Sequence, residues 1–276
     1  MTAIAIWCNN EIEENPSLWI VSDSRVSKGN SLLIEDAAKV FTLPIICKAP
    51  GSSGFFTDIY YQHSFGFCFA GSTLMGQNSF LALQPLLGNL SSVENYIPSI
   101  EDVGNYILNY LKKTFDDYKI SGGASAVFEA AIFGYCHVAK KLQIIHISPV
   151  FEPSGCFLTM TTKSCTKRSD FIYLGDNKTE MKKKISNALN SETVPGRPVT
   201  RAPRYVIDDA IEDEQMSSIG GDIQLGIADT HGFMTYKICK PYKKGEPASY
   251  FSYLGRELTD DLAYIGKAMV VGNAMV

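Results

Sequence analysis

Thr2-Ala-Ile-Ala-Ile-Trp-Cys8, a polar break over residues 9–16, and Ser17-Leu-Trp-Ile-Val-Ser-Asp-Ser-Arg25 form the stretch on which the reading of this sequence turns. Residues 3–8 are apolar and β-branched enough to predict a strand. The Asn, Glu and Pro of residues 9–16 break it, and residues 17–22 resume an apolar strand, so the two runs predict a β-hairpin with a long loop. With the bend centred on Ile12 and Glu13, antiparallel partners have positions summing to about 25. That register puts Thr2 opposite Asp23.

Outward from the hairpin, a short strand is predicted at residues 39–43 and another at 65–70, ending at Gly71. Between them residues 45–64, with Gly51-Ser-Ser-Gly54 inside, read as an irregular insertion. Helical spacing of apolar residues then predicts helices over 74–87 and 100–118, the second with Val103, Ile107, Leu108 and Leu111 on one stripe. Strands are predicted at 125–135, 142–147, 156–161 and 171–174. A Lys-studded helix at 179–190, a Pro/Arg loop at 192–204, an acidic helix at 205–217 and a closing hairpin at 223–228 and 233–238 complete the chain. This order lacks the regular βαβ alternation of a doubly wound parallel sheet, and neither GxGxxG nor GxxxxGK[ST] occurs. Clustered strands and paired helices predict an α+β fold of two mainly antiparallel sheets stacked between helical layers. With no internal repeat or low-complexity tract to divide it, residues 1–276 read as a single domain.

The 276 residues are 45% hydrophobic and 20% charged, which supplies a full core and excludes a disordered or collagen-like chain. A net charge of −4 gives no handle on a polyanion, so neither nucleic acid nor an anionic membrane is an expected partner. No apolar run approaches the length of a membrane span, and the start of the chain has no basic segment of the secretory kind, so a cytoplasmic location is expected. Seven cysteines include no CxxC pair and read as reduced packing thiols. The four histidines show no HExxH spacing and read as structural. Ser164-Cys-Thr-Lys167 fits an SxxK pattern, but no Ser-Asp-Asn or Lys-Thr-Gly follows it.

Chemistry concentrates at the first strand. Once Met1 is removed, which the small Thr2 side chain favours, residue 2 carries a hydroxyl and a free α-amine on the same carbon. A threonine hydroxyl is a weak nucleophile until a base takes its proton, and an α-amine of pKa about 8 can serve when a neighbouring cation holds it neutral. Lys39 is placed to be that cation. Asp23 is placed to orient it through an ion pair, the third-group role of a catalytic triad.

These residues resemble a proteasome-type N-terminal-nucleophile hydrolase, the family of proteasome β-subunits and bacterial ring peptidases. The resemblance rests on Thr2 opening an apolar strand, Val21-Ser-Asp-Ser-Arg25, Lys39 sixteen residues after Asp23 in Ala37-Ala-Lys-Val-Phe41, and Phe69-Ala-Gly-Ser72 opening a helix. Looser matches are Tyr173-Leu-Gly-Asp176, then Asp213, Ser217 or Ser218, and Gly220-Gly221. The family implies a four-layer αββα sandwich in which Thr2 is the nucleophile, Asp23 and Lys39 tune it, and the Gly71 amide forms the oxyanion hole. It implies an acid and a serine near the late Gly-Gly, assigned by neighbourhood to Asp213 and Ser217, because the family's spacing between them is not met. It also implies a pocket near Val26, Ala37, Phe69 and Thr73, all uncharged, and hence apolar or small residues before the cut bond. The expected activity is amide hydrolysis, of peptides or proteins, with no metal or nucleotide cofactor. The expected assembly is a homo-oligomeric ring, with any ATPase unfoldase a separate protein. A non-catalytic ring subunit and a small-amide hydrolase are the alternatives.

Overall fold

A computed structural model of the chain describes residues 2–28, 31–122, 127–153, 155–192, 195–213, 215–242, 248–271 and 274–275. The strands of the first half are β1 (Ala3–Asn9), β2 (Ser17–Ser22), β3 (Val26–Lys28), β4 (Ser31–Ile34), β5 (Val40–Pro50), β6 (Phe56–Gly71) and β7 (Leu90–Ser91). Those of the second half are β8 (Phe128–Cys136), β9 (Lys141–Glu152), β10 (Gly155–Ser164), β11 (Phe171–Gly175), β12 (Gln224–Asp229), β13 (Gly232–Pro241), β14 (Ser249–Tyr253) and β15 (Arg256–Glu257). The main helices are α1 (Thr73–Leu87), α2 (Ile100–Gly122), α3 (Lys178–Leu189) and α4 (Ala202–Glu212). The fold is α+β with several mainly antiparallel sheets.

The chain divides into two compact units. The first comprises residues 1–40, 167–227 and 234–276, and the second residues 41–166 and 228–233.

The first unit is organised by the sheet β11-β1-β2-β12-β13-β14-β15. In β1 and β2 the odd-numbered side chains Trp7, Trp19 and Val21 join Tyr173, Met181, Ile185, Ile207 and Leu225 in one apolar cluster, so α3 and α4 cover that face. The even-numbered Ile4, Ile6, Leu18 and Ile20 are buried as well. A strand buried on both faces needs an unbroken apolar run, which is why this stretch reads so clearly. The hairpin pairs Ile4 with Ser22 and Asn9 with Ser17. Its loop is therefore centred on Glu13, one half-step later than expected, and Ala3 rather than Thr2 stands opposite Asp23.

The second unit has the sheet β10-β9-β8-β6-β5-β7. Phe67, Ile132 and Ile145 of that sheet pack with Leu83 of α1 and Val103, Ile107, Leu111 and Phe115 of α2, which places the predicted helical stripe in the core. The expectation of an irregular insertion at 45–64 is wrong. Residues 40–50 and 56–71 are two long strands joined by a tight turn, closed by Gly51 N–H to Phe55 O at 2.7 Å and Gly54 N–H to Gly51 O at 2.9 Å. Gly54, at φ +80°, is the residue that permits this turn. The alternation Ile45, Cys47 buried against Ile46, Lys48 half-buried is a strand signal that the glycines mask.

Two further boundaries move. The expected loop at 192–204 contains a 3₁₀ turn at Val199–Arg201 and the first turn of α4, with Pro203 in the first turn, where a missing N–H costs nothing. Residues 193–194 of that loop, and 125–126 of the expected strand 125–135, lie outside the described residues. The acidic helix ends at Glu212 rather than 217. No helix is long and apolar enough to cross a membrane among the described residues.

Candidate active site

Asp23 directly follows β2 and is fully buried, which demands that its carboxylate be paired. Its Oδ1 accepts from Lys39 Nζ at 2.8 Å and from Ala3 N–H at 2.9 Å, and its Oδ2 accepts from Gly220 N–H at 3.3 Å. Lys39, 2% exposed, also donates from Nζ to Arg25 O at 2.6 Å. The ion pair inferred from the sequence is therefore present, and it abuts the second peptide of the chain.

Electrostatics at this pair are a contest. Burial pulls the Lys39 ammonium below its ordinary range, opposed by the charges of Asp23 and Asp176. Burial raises Asp23, opposed by Lys39 and the two amides. The geometry, a carboxylate receiving three N–H donors, favours the charged pair.

Thr2 is 5% exposed. Its carbonyl accepts from Asp176 N–H at 2.8 Å, and Gly175, at φ +110°, lies so close that a Cβ there would sit 1.9 Å from Thr2 O. Only glycine fits between β11 and the start of β1. Among the described residues no hydrogen bond joins the Thr2 hydroxyl to Lys39 Nζ, which is engaged by Asp23 and Arg25.

Gln224, which sequence reasoning missed, ties the segments together. Its Oε1 accepts from Lys39 N–H at 3.0 Å, and its Nε2 donates to Ala37 O at 2.7 Å and Asp23 O at 3.4 Å. The signal was available: a glutamine between Ile223 and Leu225 in an apolar strand is a buried polar group that must find partners. The late Gly-Gly contributes backbone rather than side chains. Gly220 O accepts from Ser24 N–H at 3.1 Å and Arg25 N–H at 2.9 Å, and Asp222 N–H donates to Ser24 Oγ at 2.7 Å.

Neither the Asp213 nor the Ser217 side chain makes a hydrogen bond to Thr2, Asp23 or Lys39 among the described residues. Asp213 Oδ1 accepts from Gln215 N–H at 3.0 Å just beyond α4, and Ser217 is exposed, its carbonyl accepting from Arg25 Nη1 at 3.0 Å. Ser218 lies in the same turn. Arg25 also forks onto Glu35 with two 2.9 Å bonds, a structural brace between residues 25 and 35. Of the expected pocket residues, Ala37 is buried and Val26 opens β3 in this unit.

Gly71, Phe69 and Thr73 belong to the second unit. Gly71 is exposed at the end of β6 with φ +100°, where a Cβ would meet Val127 O at 2.5 Å. Ser72 then caps α1, its Oγ accepting from Met75 N–H at 3.4 Å. The strand-to-helix turn is as read. Phe69 stacks on Phe41 with ring centroids 6.0 Å apart, and Thr73 begins α1, half-buried. Among the described residues no group of three or more His, Cys, Asp or Glu side chains is arranged to hold a metal ion.

No protein-family model matches the chain, and no curated protein matches it. Solved structures do. The chain has the proteasome-like fold of Anbu, the ancestral β-subunit. One such structure is the helical assembly of the Anbu complex from Pseudomonas aeruginosa, 16% identical over 86% of this chain and 86% of that one, TM-score 0.53. A second is Anbu from Yersinia bercovieri, 15% identical over 85% and 87%, TM-score 0.54. A third is a Gly-1 mutant of Anbu from Hyphomicrobium sp. strain MC1, 14% identical over 85% of each chain, TM-score 0.53.

Proposed function

We propose that this chain is an N-terminal threonine hydrolase that cleaves amide bonds, chiefly of peptides, through an acyl-enzyme on Thr2 after removal of Met1. The observation that carries the reading is the buried Lys39–Asp23 pair, 2.8 Å long and hydrogen-bonded to the Ala3 amide directly beside Thr2. A buried charge pair is seldom worth its desolvation as a stabiliser, so its retention next to a potential nucleophile is best accounted for by chemistry. In the mechanism, the α-amine of Thr2 takes the hydroxyl proton as Oγ1 attacks the substrate carbonyl. Lys39 supplies positive charge that lowers the proton affinity of both groups, and Asp23 holds Lys39. Water then resolves the ester.

The same reading assigns Val26 and Ala37 of the first unit to an apolar substrate pocket, and Asp213 and Ser217 to the surroundings of the terminal amine. The contacts of the last two, spent on Gln215 and Arg25, support them least. A cytoplasmic homo-oligomeric ring working with a separate ATPase completes the proposal. It draws support from the Anbu fold and from the apolar side chains exposed on α1, Leu74 and Leu81. The second reading, a ring subunit without activity, is favoured by the lack of a hydrogen bond between Lys39 and the Thr2 hydroxyl.

Intact-mass measurement with an electrophilic threonine trap tests the proposal. The expected result is a protein lacking Met1 and carrying one adduct, with Thr2→Ala folded but unlabelled. Retained Met1, or equal labelling of Thr2→Ala, overturns it.

A further inference from the structure

The turn that follows β11 holds a carboxyl group that nothing in the mechanism above uses. Asp176 is pinned by its backbone on both sides: its N–H donates to Thr2 O at 2.8 Å, and its carbonyl accepts from Tyr173 Oη at 2.7 Å. The next residue, Asn177, sits in the left-handed region at φ 49°, so the turn is tightly specified. Within it, Asp176 Oδ2 is buried and has no hydrogen-bond partner. A buried carboxyl oxygen without a donor is costly, and a catalytic role is one of the reasons native proteins keep such a group. The group lies within electrostatic reach of Lys39. It is anchored to the residue whose α-amine would be created by loss of Met1.

We propose that Asp176 is the anchor of the Thr2 α-amine, a positioning residue that accepts a hydrogen bond from the amine and stabilises its protonated form during acyl transfer. The inference rests on the reading of Thr2 as the N-terminal nucleophile. In the forward step the neutral amine takes the Thr2 hydroxyl proton while Oγ1 bonds to the substrate carbonyl carbon. The ammonium so formed, held by Asp176, returns that proton to the leaving nitrogen as the C–N bond breaks, leaving the acyl ester on Thr2. Lys39 and Asp176 then act in opposition on one amine, the cation keeping it neutral at rest and the carboxyl favouring its charged state in transit. The pinned backbone on both sides of Asp176 keeps its carboxyl beside residue 2.

The test uses protein prepared with Thr2 as its first residue, in wild-type, Asp176→Asn, Asp176→Glu and Thr2→Ala forms, each checked for fold by circular dichroism. Two quantities are read: the α-amine pKa by NMR of ¹⁵N-threonine-labelled protein, and the pH profile of labelling by the threonine trap. Removing a nearby negative charge lowers an amine's pKa, so Asp176→Asn is expected to shift the titration and the acidic limb of the profile down by about one pH unit. It is also expected to slow labelling at the plateau about tenfold, through lost orientation. Asp176→Glu should restore the titration in part. An α-amine pKa and an acidic limb both unchanged in Asp176→Asn overturn the proposal. Labelling that persists in Thr2→Ala would instead sink the nucleophile assignment. The amine titration, which needs no catalysis, still judges Asp176 in that case.

Discussion

The two units solve the problem of burying polar groups in different ways. In the second unit the core is a continuous mass of Phe, Ile, Leu and Val, and its cross-strand ionisable pair, Glu129 with His146 at 3.0 Å, keeps part of the His146 side chain in contact with water. In the first unit Asp23 and Lys39 are both withdrawn from solvent and surrounded by backbone donors and acceptors, with Gln224 tying their chain segments together. Stability alone favours the second arrangement, because desolvating two charges costs several kcal/mol that the attraction repays only with ideal geometry. The first unit accepts that cost within one residue of Thr2. Under the proposed function, the contrast casts the second unit as scaffold and the first as the place where chemistry is prepared.

Breaking the charged pair should give the largest effect. Lys39→Met leaves Asp23 buried and unpaired, and is expected to cost about 3–5 kcal/mol in urea unfolding and to abolish trap labelling. The double variant Lys39→Met, Asp23→Leu should recover most of the stability and none of the labelling. A double variant that regains labelling would show the pair to be structural only. A matching cut into the scaffold, Leu111→Ala in α2, removes a fully buried side chain from the second unit's core and should cost about 2–5 kcal/mol. Below its unfolding transition, this variant should label Thr2 at the wild-type rate. A rate falling in proportion to the lost stability would dissolve the distinction between the two units.

The smallest effect concerns acid sensitivity in the scaffold. Burial, aided by the charge of His137, pushes His63 down from 6.5 to about 4. Its Nε2 lies 3.0 Å from Tyr135 O, the geometry of a neutral ring donating to a carbonyl. Because the folded pKa lies below the unfolded one, the unfolded chain binds the proton first. This contribution to stability is complete above about pH 6.5 and is lost as the pH falls toward 4. His63→Gln should therefore flatten the fall in Tm across that window. Parallel acid profiles for the two proteins would mean that His63 takes up its proton at the same pH folded as unfolded, so that burial does not hold it neutral.

Local order was legible because it is written in short-range pattern. The helices at 73–87 and 100–122 follow from apolar spacing, and the turn at Gly71 from a glycine between a strand and a capping serine. The pairing of Asp23 with Lys39 was readable too, since both flank the same short stretch and a buried aspartate beside an apolar strand needs a cation. Where two local signals conflicted, the reading failed: Gly51 and Gly54 hid two long strands, and the centre of a seven-residue loop cannot be set to half a residue by composition.

What the sequence by itself determined is the hairpin, the main helices and the pairing of Asp23 with Lys39 beside the first strand, all set by neighbours along the chain. Only the tertiary structure decided which donors complete Asp23. Gly220 lies 197 positions away and Gln224 reaches Lys39 across 185. It also decided that Ala3 and not Thr2 opposes Asp23, that Asp213 bonds Gln215 and the Ser217 carbonyl bonds Arg25, and that Asp176 Oδ2 is buried without a partner. The physical reason is that a polar group declares its need for a partner locally, while the partner is chosen by chain crossings that periodicity does not encode.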